Sequence, residues 1–435
     1  MLKALSLEIF KILISQLGVC SLDFSDLGLE VTTICELMEE NITIEPLVAT
    51  YAAGVIHEIM QKGGSGNADF IVKRYSNVNK LSLIQQLLDI NKPKDDIKKV
   101  DGTNFGCPII GFFDYPLILL ERLYARHISE SSRSKSSKSE FSASLDKINI
   151  ADTIVSFILN LSNRTDVSPR GIIPLLGFIH ECIYKDIKNV MQKIFKNCIR
   201  VLCSLIREDQ FLSIQEWPEI CGGGTTAVNL IASQILRTFN LPFTKQNIDR
   251  DIDKISTELA KSDIIYLSLN VLKYVSPEYI SIGMSLLWKL IFNCEDSKTF
   301  AKQFVSGGGL KAILKYKILA PTNPESLLVD TLSLISQLAR LSKDFYEPIH
   351  QANMYKELKI LIEHTDTAVR AKVCNLIGNL CRHTGFFYEK LLKNHLIEAA
   401  INRCTDPDQN TRKFACFAVG NAGFHNENLY ESLKP

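Results

Sequence analysis

Two His-Glu pairs are the first residues in this chain whose types and spacing could do chemistry. His57-Glu58 and His180-Glu181 begin like the helix of a zinc protease, in which a second histidine one turn later shares the metal. Gln61 and Tyr184 stand at that place, so both histidines read as surface or interface residues. Cys374, Cys381 and His383 could make three metal ligands, but the two cysteines fit a buried helix stripe and no fourth ligand is evident. The twelve cysteines are scattered on helix faces without a CxxC pair, which reads as buried free thiols in a reducing compartment. There is no GxSxG elbow and no Walker lysine loop, nor the glycine-rich loop, HRD aspartate and DFG metal ligand of a kinase active site. Gly222-Gly223-Gly224 and Gly307-Gly308-Gly309 precede apolar helices without a following Gly-Lys-Ser/Thr, so they read as tight turns, not phosphate cradles. No catalytic residue, metal or cofactor is expected.

What the chain does offer is a polar position that recurs. Gln337, Asn379 and Asn421 are equivalent by register. The residues four and seven before each share its helix face: Ser333 and Asp330, Asn375 and Lys372, Phe417 and Phe414. A side-chain amide offers two donors and an acceptor, so a ladder of them can grip the backbone of an extended peptide. The same amides could instead bond within or between helices to satisfy buried polar groups. Phe414 and Phe417 beside Asn421 suggest a docking patch or a dimer contact. The candidate protein-binding residues are therefore Gln337, Asn375, Asn379, Phe414, Phe417 and Asn421.

The elements that would hold this row come from an internal repeat. Leu334 to Glu347, Leu376 to Glu389 and Ala418 to Glu431 superpose at one constant shift, which carries Leu334 onto Leu376 and Leu376 onto Ala418. The first two segments agree at 7 of 14 positions, and Asp366 to Glu389 agrees with Asp408 to Glu431 at 8 of 24; unrelated segments would share roughly one in twenty. A period in the low forties with helical patterning and no strand signal predicts an all-α, right-handed superhelical solenoid of armadillo- or HEAT-like repeats. One such unit cannot hide its own apolar stripe, here Val373, Leu376, Ile377 and Leu380, so neighbours must stack.

Length and composition agree. At 435 residues the chain exceeds the size at which one globular core stops growing. Hydrophobic residues at 46% mark an ordered protein, and a formal charge of +1 provides no basic field for nucleic acid or an anionic membrane. The N-terminal run has Glu8 and Lys11 inside it and reads as an amphipathic helix, not a signal peptide. Ile109 to Leu120, broken by Asp114 and Pro116, is too short to span a bilayer. A soluble, cytoplasmic protein without membrane insertion is expected.

In chain order, residues 1–128 are expected to form an N-terminal armadillo-like helical region: helices at 1–17, 27–40, 43–62 and from Lys80 to Ile90, with Gly63-Gly64-Ser65-Gly66 as a flexible break and a long loop at 91–111. Helix resumes from Pro116 to Arg126. Nine of the sixteen residues from Ser129 to Ser144 are serine, interleaved with Arg133, Lys135 and Lys138. Residues 129–145 therefore read as a disordered linker, either a phosphorylation-accessible loop (Ser131, Ser134, Ser136, Ser139) or a passive insertion. Residues 146–435 read as armadillo-like repeats, clearest at 324–435. Helices are expected from Ile150 to Asn163, Pro169 to Tyr184, Ile187 to Arg207 and Thr226 to Phe239. Three more run from Ile248 to Lys261, Asp263 to Val275 and Pro277 to Asn293.

Val369 to His383, Arg403 to Asp408 and Thr411 to Asn426 with Leu429-Tyr430-Glu431 together resemble the C-terminal armadillo region of Fused-type serine/threonine kinases. Phe105-Gly106-Cys107-Pro108 to Phe113-Asp114, then Pro116-Leu117, more loosely resembles that family's middle region. The resemblance implies a catalytic domain N-terminal to such a region and absent from this chain. It implies the regulatory, partner-binding part of a kinase, with functions in the cytoskeleton, motile cilia, cytokinesis or Hedgehog-type signalling. The implied partners are a kinesin-type motor or a kinase domain. The other class of reading is a generic armadillo adaptor or transport-type receptor unrelated to any kinase.

Overall fold

The computed structural model describes residues 2–16, 30–90, 111–131, 140–161, 167–185, 189–217, 219, 222–244 and 252–424. Among them every regular element is helical. The chain divides into two compact units, Met1–Thr238 and Phe239–Pro435. In the first unit the order is α1 (Leu2–Gln16), α2 (Val31–Asn41), α3 (Pro46–Lys62), α4 (Gly64–Tyr75), α5 (Val78–Leu88), α6 (Asp114–Ser131) and α7 (Glu140–Lys147). There follow α8 (Ile150–Leu159), α9 (Pro169–Tyr184), α10 (Val190–Asn197), α11 (Ile199–Ser204), α12 (Glu208–Glu216) and α13 (Gly224–Asn240), which runs just past the division. The second unit continues with α14 (Ile252–Ala260), α15 (Ile264–Val271), α16 (Pro277–Asn293), α17 (Ser297–Ser306), α18 (Gly309–Lys315) and α19 (Glu325–Leu341). It closes with α20 (Tyr346–Ala352), α21 (Tyr355–Leu361), α22 (Thr367–Leu380), α23 (Tyr388–Lys393), α24 (Leu396–Asn402) and α25 (Gln409–Phe424).

Within each unit one long helix per repeat packs on the next. The series are α1, α3, α6, α9 in the first unit and α16, α19, α22, α25 in the second, with short helices between. This is a helical solenoid in each unit, and it follows from shared burial: Leu334, Ile335 and Leu338 of α19 and Val373, Leu376, Ile377 and Leu380 of α22 are at most 1% exposed. Register extends to the turns. Asn353 and His395, related by the same shift as Leu334 and Leu376, both adopt left-handed backbone, with φ of 52° and 55°. Gly222, Gly224 and Gly308 also have positive φ, and a Cβ on Gly223 or Gly309 would collide with Trp217 or Phe304. These glycines make close turns, as the sequence implied.

Four sequence expectations need correction. The Gly63 to Gly66 stretch is no break beyond Gly63, because α4 starts at Gly64; Asn67 donates to the Gly63 carbonyl, and Arg74 grips Glu39 of α2 with two bonds of 2.7 and 2.8 Å. The stretch from Ile187 to Arg207 is two helices, since Asn189 takes φ 62° and the chain re-forms at Cys198. The short α12 was not foreseen. The serine-rich stretch is helical at both ends: Ser129 to Ser131 complete α6, and α7 starts at Glu140. Phe141 is fully buried and packs with Tyr124, which in turn meets Phe178 edge-on, so α6, α7 and α9 form one core across the expected boundary at 129–145. Residues 91–110, Ser134, Ser136, Ser139 and the repeat positions after Phe424 lie outside the described residues.

Two buried carboxylates fix the long helices. In the first unit, Asp114 at the start of α6 is fully buried and accepts bonds from the backbone N–H of Gly111 and of Ser168, and from the Ser168 hydroxyl. Burial outweighs those bonds and pushes its carboxyl up to about 6. In the second unit, Arg370 of α22 reaches the turn before α25 and grips Asp406 with two bonds of 2.9 Å, while Arg403 adds a third at 3.0 Å. Arg370 is 8% and Asp406 3% exposed. The Arg370 bonds above all hold the Asp406 carboxyl down at about 2.

These ties have opposite pH signatures. Asp406 has a depressed value, so its contribution is present above about pH 4 and is lost as pH falls through about 2. Asp114 has a raised value, so its contribution is complete below about pH 4 and is lost as pH rises through about 6. Urea unfolding of wild type and Asp114→Asn at pH 7.5 and 5 should show a stability gain on acidification that the variant lacks. Asp406→Asn strands a buried guanidinium and should destabilise the second unit by about 3–5 kcal/mol at pH 7. An effect under about 1 kcal/mol would show the pair to be peripheral.

Candidate protein-binding face

Gln337 of α19, Asn379 of α22 and Asn421 of α25 do fall in one row on consecutive stacked helices. Their bonds are structural. Asn379 is 5% exposed and donates to Ser336 on the preceding helix at 2.7 Å, and Ser336 donates to Asn375 at 2.8 Å. Asn421 donates to the Gly378 carbonyl at 2.9 Å, and Gln337, also 5% exposed, accepts from Arg340 at 2.8 Å. His383 faces the Arg340 carbonyl at 3.3 Å. Asn379 and Asn421 therefore tie repeat to repeat, whereas Gln337 bonds within α19; these contacts are of the kind that satisfies buried polar groups within or between helices. The carbonyl oxygen of the Asn379 side chain is buried without a hydrogen-bond partner among the described residues.

The charges lie two helical turns before the amides. Asp330 on α19 stands between Lys289 of α16 and Lys372 of α22, all three half-buried. Burial pushes both lysines down against the attraction of Asp330, and burial pushes Asp330 up against a Ser285 bond and both lysines. Lys289 donates to Asn240 at 3.2 Å. Lys372 makes no hydrogen bond or ion pair among the described residues. A half-buried ammonium with no acceptor is costly to hold, and an incoming carbonyl or carboxylate would relieve it.

Aromatic rings complete the face. Phe292 of α16 is 47% exposed, lies against Trp288 with the ring planes tilted by 37° and centroids 4.4 Å apart, and has the Arg340 guanidinium 6.0 Å from its ring centre. Phe414 is half-buried beside Lys413, and Phe417 rests on Gly378 of α22, so Phe417 is not the free patch expected of it. Lys289, Trp288 and Phe292 escaped the sequence reading because α16 is out of step by one residue: Lys289 stands 41 residues before Asp330 (330 − 289), whereas Leu334 stands 42 before Leu376 (376 − 334). The stripe Leu286, Leu287, Leu290, aligned without a fixed shift, would have found them.

The sites considered for chemistry are dispersed. Gln61 bonds His57 at 3.0 Å. His180 is half-buried, and burial together with Arg237 lowers its value. Cys374 and Cys381 are fully buried, with thiols pushed up to about 12 by burial. Among the described residues no group of three or more His, Cys, Asp or Glu side chains is placed to hold a metal, and no helix is long and apolar enough to cross a membrane.

Half of this chain is homologous to the serine/threonine-protein kinase TIO of Arabidopsis thaliana, with 28% identity over 257 residues. That match takes up 50% of this chain and 19% of the kinase, so the chain spans about a fifth of the relative's length. No family model matches. An engineered protein of known crystal structure shares the fold at 12% identity, covering 96% of this chain and 99% of its own, with a TM-score of 0.53. A designed armadillo repeat protein, solved in complex with the peptide (KR)4, aligns at 12% identity over 62% of this chain and 99% of its own, with a TM-score of 0.47.

Because Asn379 and Asn421 tie repeats together, Asn379→Ala and Asn421→Ala should each lower the stability of the second unit by about 1–3 kcal/mol. A denaturant midpoint unchanged in both variants would return these side chains to the role of free groove residues.

Proposed function

We propose that the face formed by α16, α19, α22 and α25 binds an extended segment of a protein partner, and that this chain is the non-catalytic regulatory and partner-binding part of a Fused-like serine/threonine kinase. Lys372 carries the reading: it is half-buried, lacks an acceptor among the described residues, and stands in a row with Asp330 and Lys289, flanked by the half-exposed rings of Phe292 and Phe414. A peptide backbone offers what this row lacks, a line of carbonyl acceptors at regular spacing. Homology to the plant kinase over half of the chain supports the kinase link. A cytoplasmic setting at the cytoskeleton or cilium, and a kinesin-type motor or kinase domain as partner, follow from the same resemblance. The serine-rich stretch at 129–145, with Ser131, Ser134, Ser136 and Ser139, would then be a regulatory phosphorylation site.

The experiment is an affinity capture with cross-linking, using the purified chain, Lys372→Met and Phe414→Ala/Phe292→Ala as parallel baits. The amide variants are unsuitable because they also loosen the stack. Expected is a kinase domain or a motor protein cross-linked to α19 and α22 in wild type, with at least about tenfold less recovered by either variant. Equal recovery by all baits would move the binding surface elsewhere, and recovery of nuclear-transport cargo in its place would favour a generic adaptor.

A further inference from the structure

α22 and α25 carry the same three residues on the flank that looks along the stack. Arg370, Cys374 and Gly378 on α22 correspond to Arg412, Cys416 and Gly420 on α25, each at the shift of the internal repeat and each set spaced one helical turn apart. On α22 the following repeat covers all three. Asp406 fills the Arg370 fork, Cys374 is fully buried, and Phe417 lies so close on Gly378 that a Cβ there would overlap its ring. The local half of the arginine device is identical in both repeats: Arg370 donates from one nitrogen to the carbonyls of His364 and Thr365, and Arg412 donates to those of Asp406 and Pro407. The other half differs. The Nε and second terminal nitrogen of Arg412 have no partner among the described residues, Cys416 is exposed, and, beyond the adjoining backbone of its own helix, no described atom lies within 4 Å of the Cβ position at Gly420.

We propose that this flank of α25 is a docking surface for one further helical repeat of the same kind. The chemistry of that repeat is set by the vacant positions. It brings a carboxylate onto the Arg412 fork, as Asp406 does for Arg370, and a large flat side chain onto Gly420, as Phe417 does for Gly378. The fork demands a bidentate anion and the glycine demands close approach of a ring. This surface is separate from the peptide-binding face, which uses Phe414 on another side of α25.

The test extends the full chain after Pro435 by a copy of its own residues Asn394 to Phe424. This keeps the register of the repeat, so the copied Asp406 and Phe417 stand as far beyond Arg412 and Gly420 as the originals stand beyond Arg370 and Gly378. Alkylation of Cys416 is followed by mass spectrometry, with Cys374 as the protected reference. Expected is rapid labelling of Cys416 in the parent chain and at least a roughly tenfold slowing in the extended chain, reversed by Arg412→Gln or by asparagine at the copied aspartate. Gly420→Ala supplies a second readout with a change of sign: it should raise the melting temperature of the parent by about 2–4 °C and lower that of the extended chain. Two outcomes overturn the proposal. One is Cys416 equally reactive with and without the extension, together with Gly420→Ala stabilising both forms. The other is Cys416 already protected in the parent, whether by a second copy, which light scattering would reveal as a dimer, or by this chain itself.

Discussion

The placement of α22 between α19 and α25 is the contact on which the second unit depends. A helix of 14 residues with 10 of them buried cannot stand in water alone, and its stripe is hidden only when helices lie on both sides. The rest follows from that requirement. Gly378 exists so that Phe417 can come close, the short helices fold back so that the next long helix arrives in register, and the left-handed turns at Asn353 and His395 recur because the path between helices is the same.

Buried polar groups set the precision of the stack. Apolar contact alone would let one helix slide along another at modest penalty, whereas a bidentate arginine–carboxylate pair and a row of amide bonds permit one register. Asp406 accepts from two arginines on different elements, and Asp408 caps α25 through the Thr411 N–H just as Asp366 caps α22 through that of Val369. In the first unit the corresponding work falls to different groups: Asp114 clasped to Ser168, and Glu39 between Arg74 and Lys80. Nothing in their spacing repeats, so the two units reach similar architecture through unlike polar ties.

Fold class was legible because burial leaves a periodic trace. The stripes of α19 and α22 and the prolines at the starts of α9 and α16 put helix limits within reach, and both of those helices match their expected spans from Pro169 to Tyr184 and Pro277 to Asn293. α4 and α7 were not legible, since glycine and serine in their first turns read as linker while the stabilising partners, Glu39 and Tyr124, lie far away in sequence. The candidate site was half legible. Its row position was found from register, but an amide looks the same in sequence whether it faces a ligand or the carbonyl of the preceding helix. The charged row of Lys289, Asp330 and Lys372 needed the stack itself, because one of its members lies outside the constant shift of the repeat.

The inter-repeat bonds of α19, α22 and α25 all join groups about one repeat apart along the chain: Arg370 to Asp406, Ser336 to Asn375, Asn379 to Ser336 and Asn421 to Gly378. Each bond closes a loop of that one size, which keeps the entropy of closure small and nearly constant along the array. Topology of this kind favours fast folding that spreads from any formed neighbour. As such a chain leaves the ribosome, each new long helix finds its template already in place, and a stall in synthesis leaves exposed only the flank of the most recent repeat.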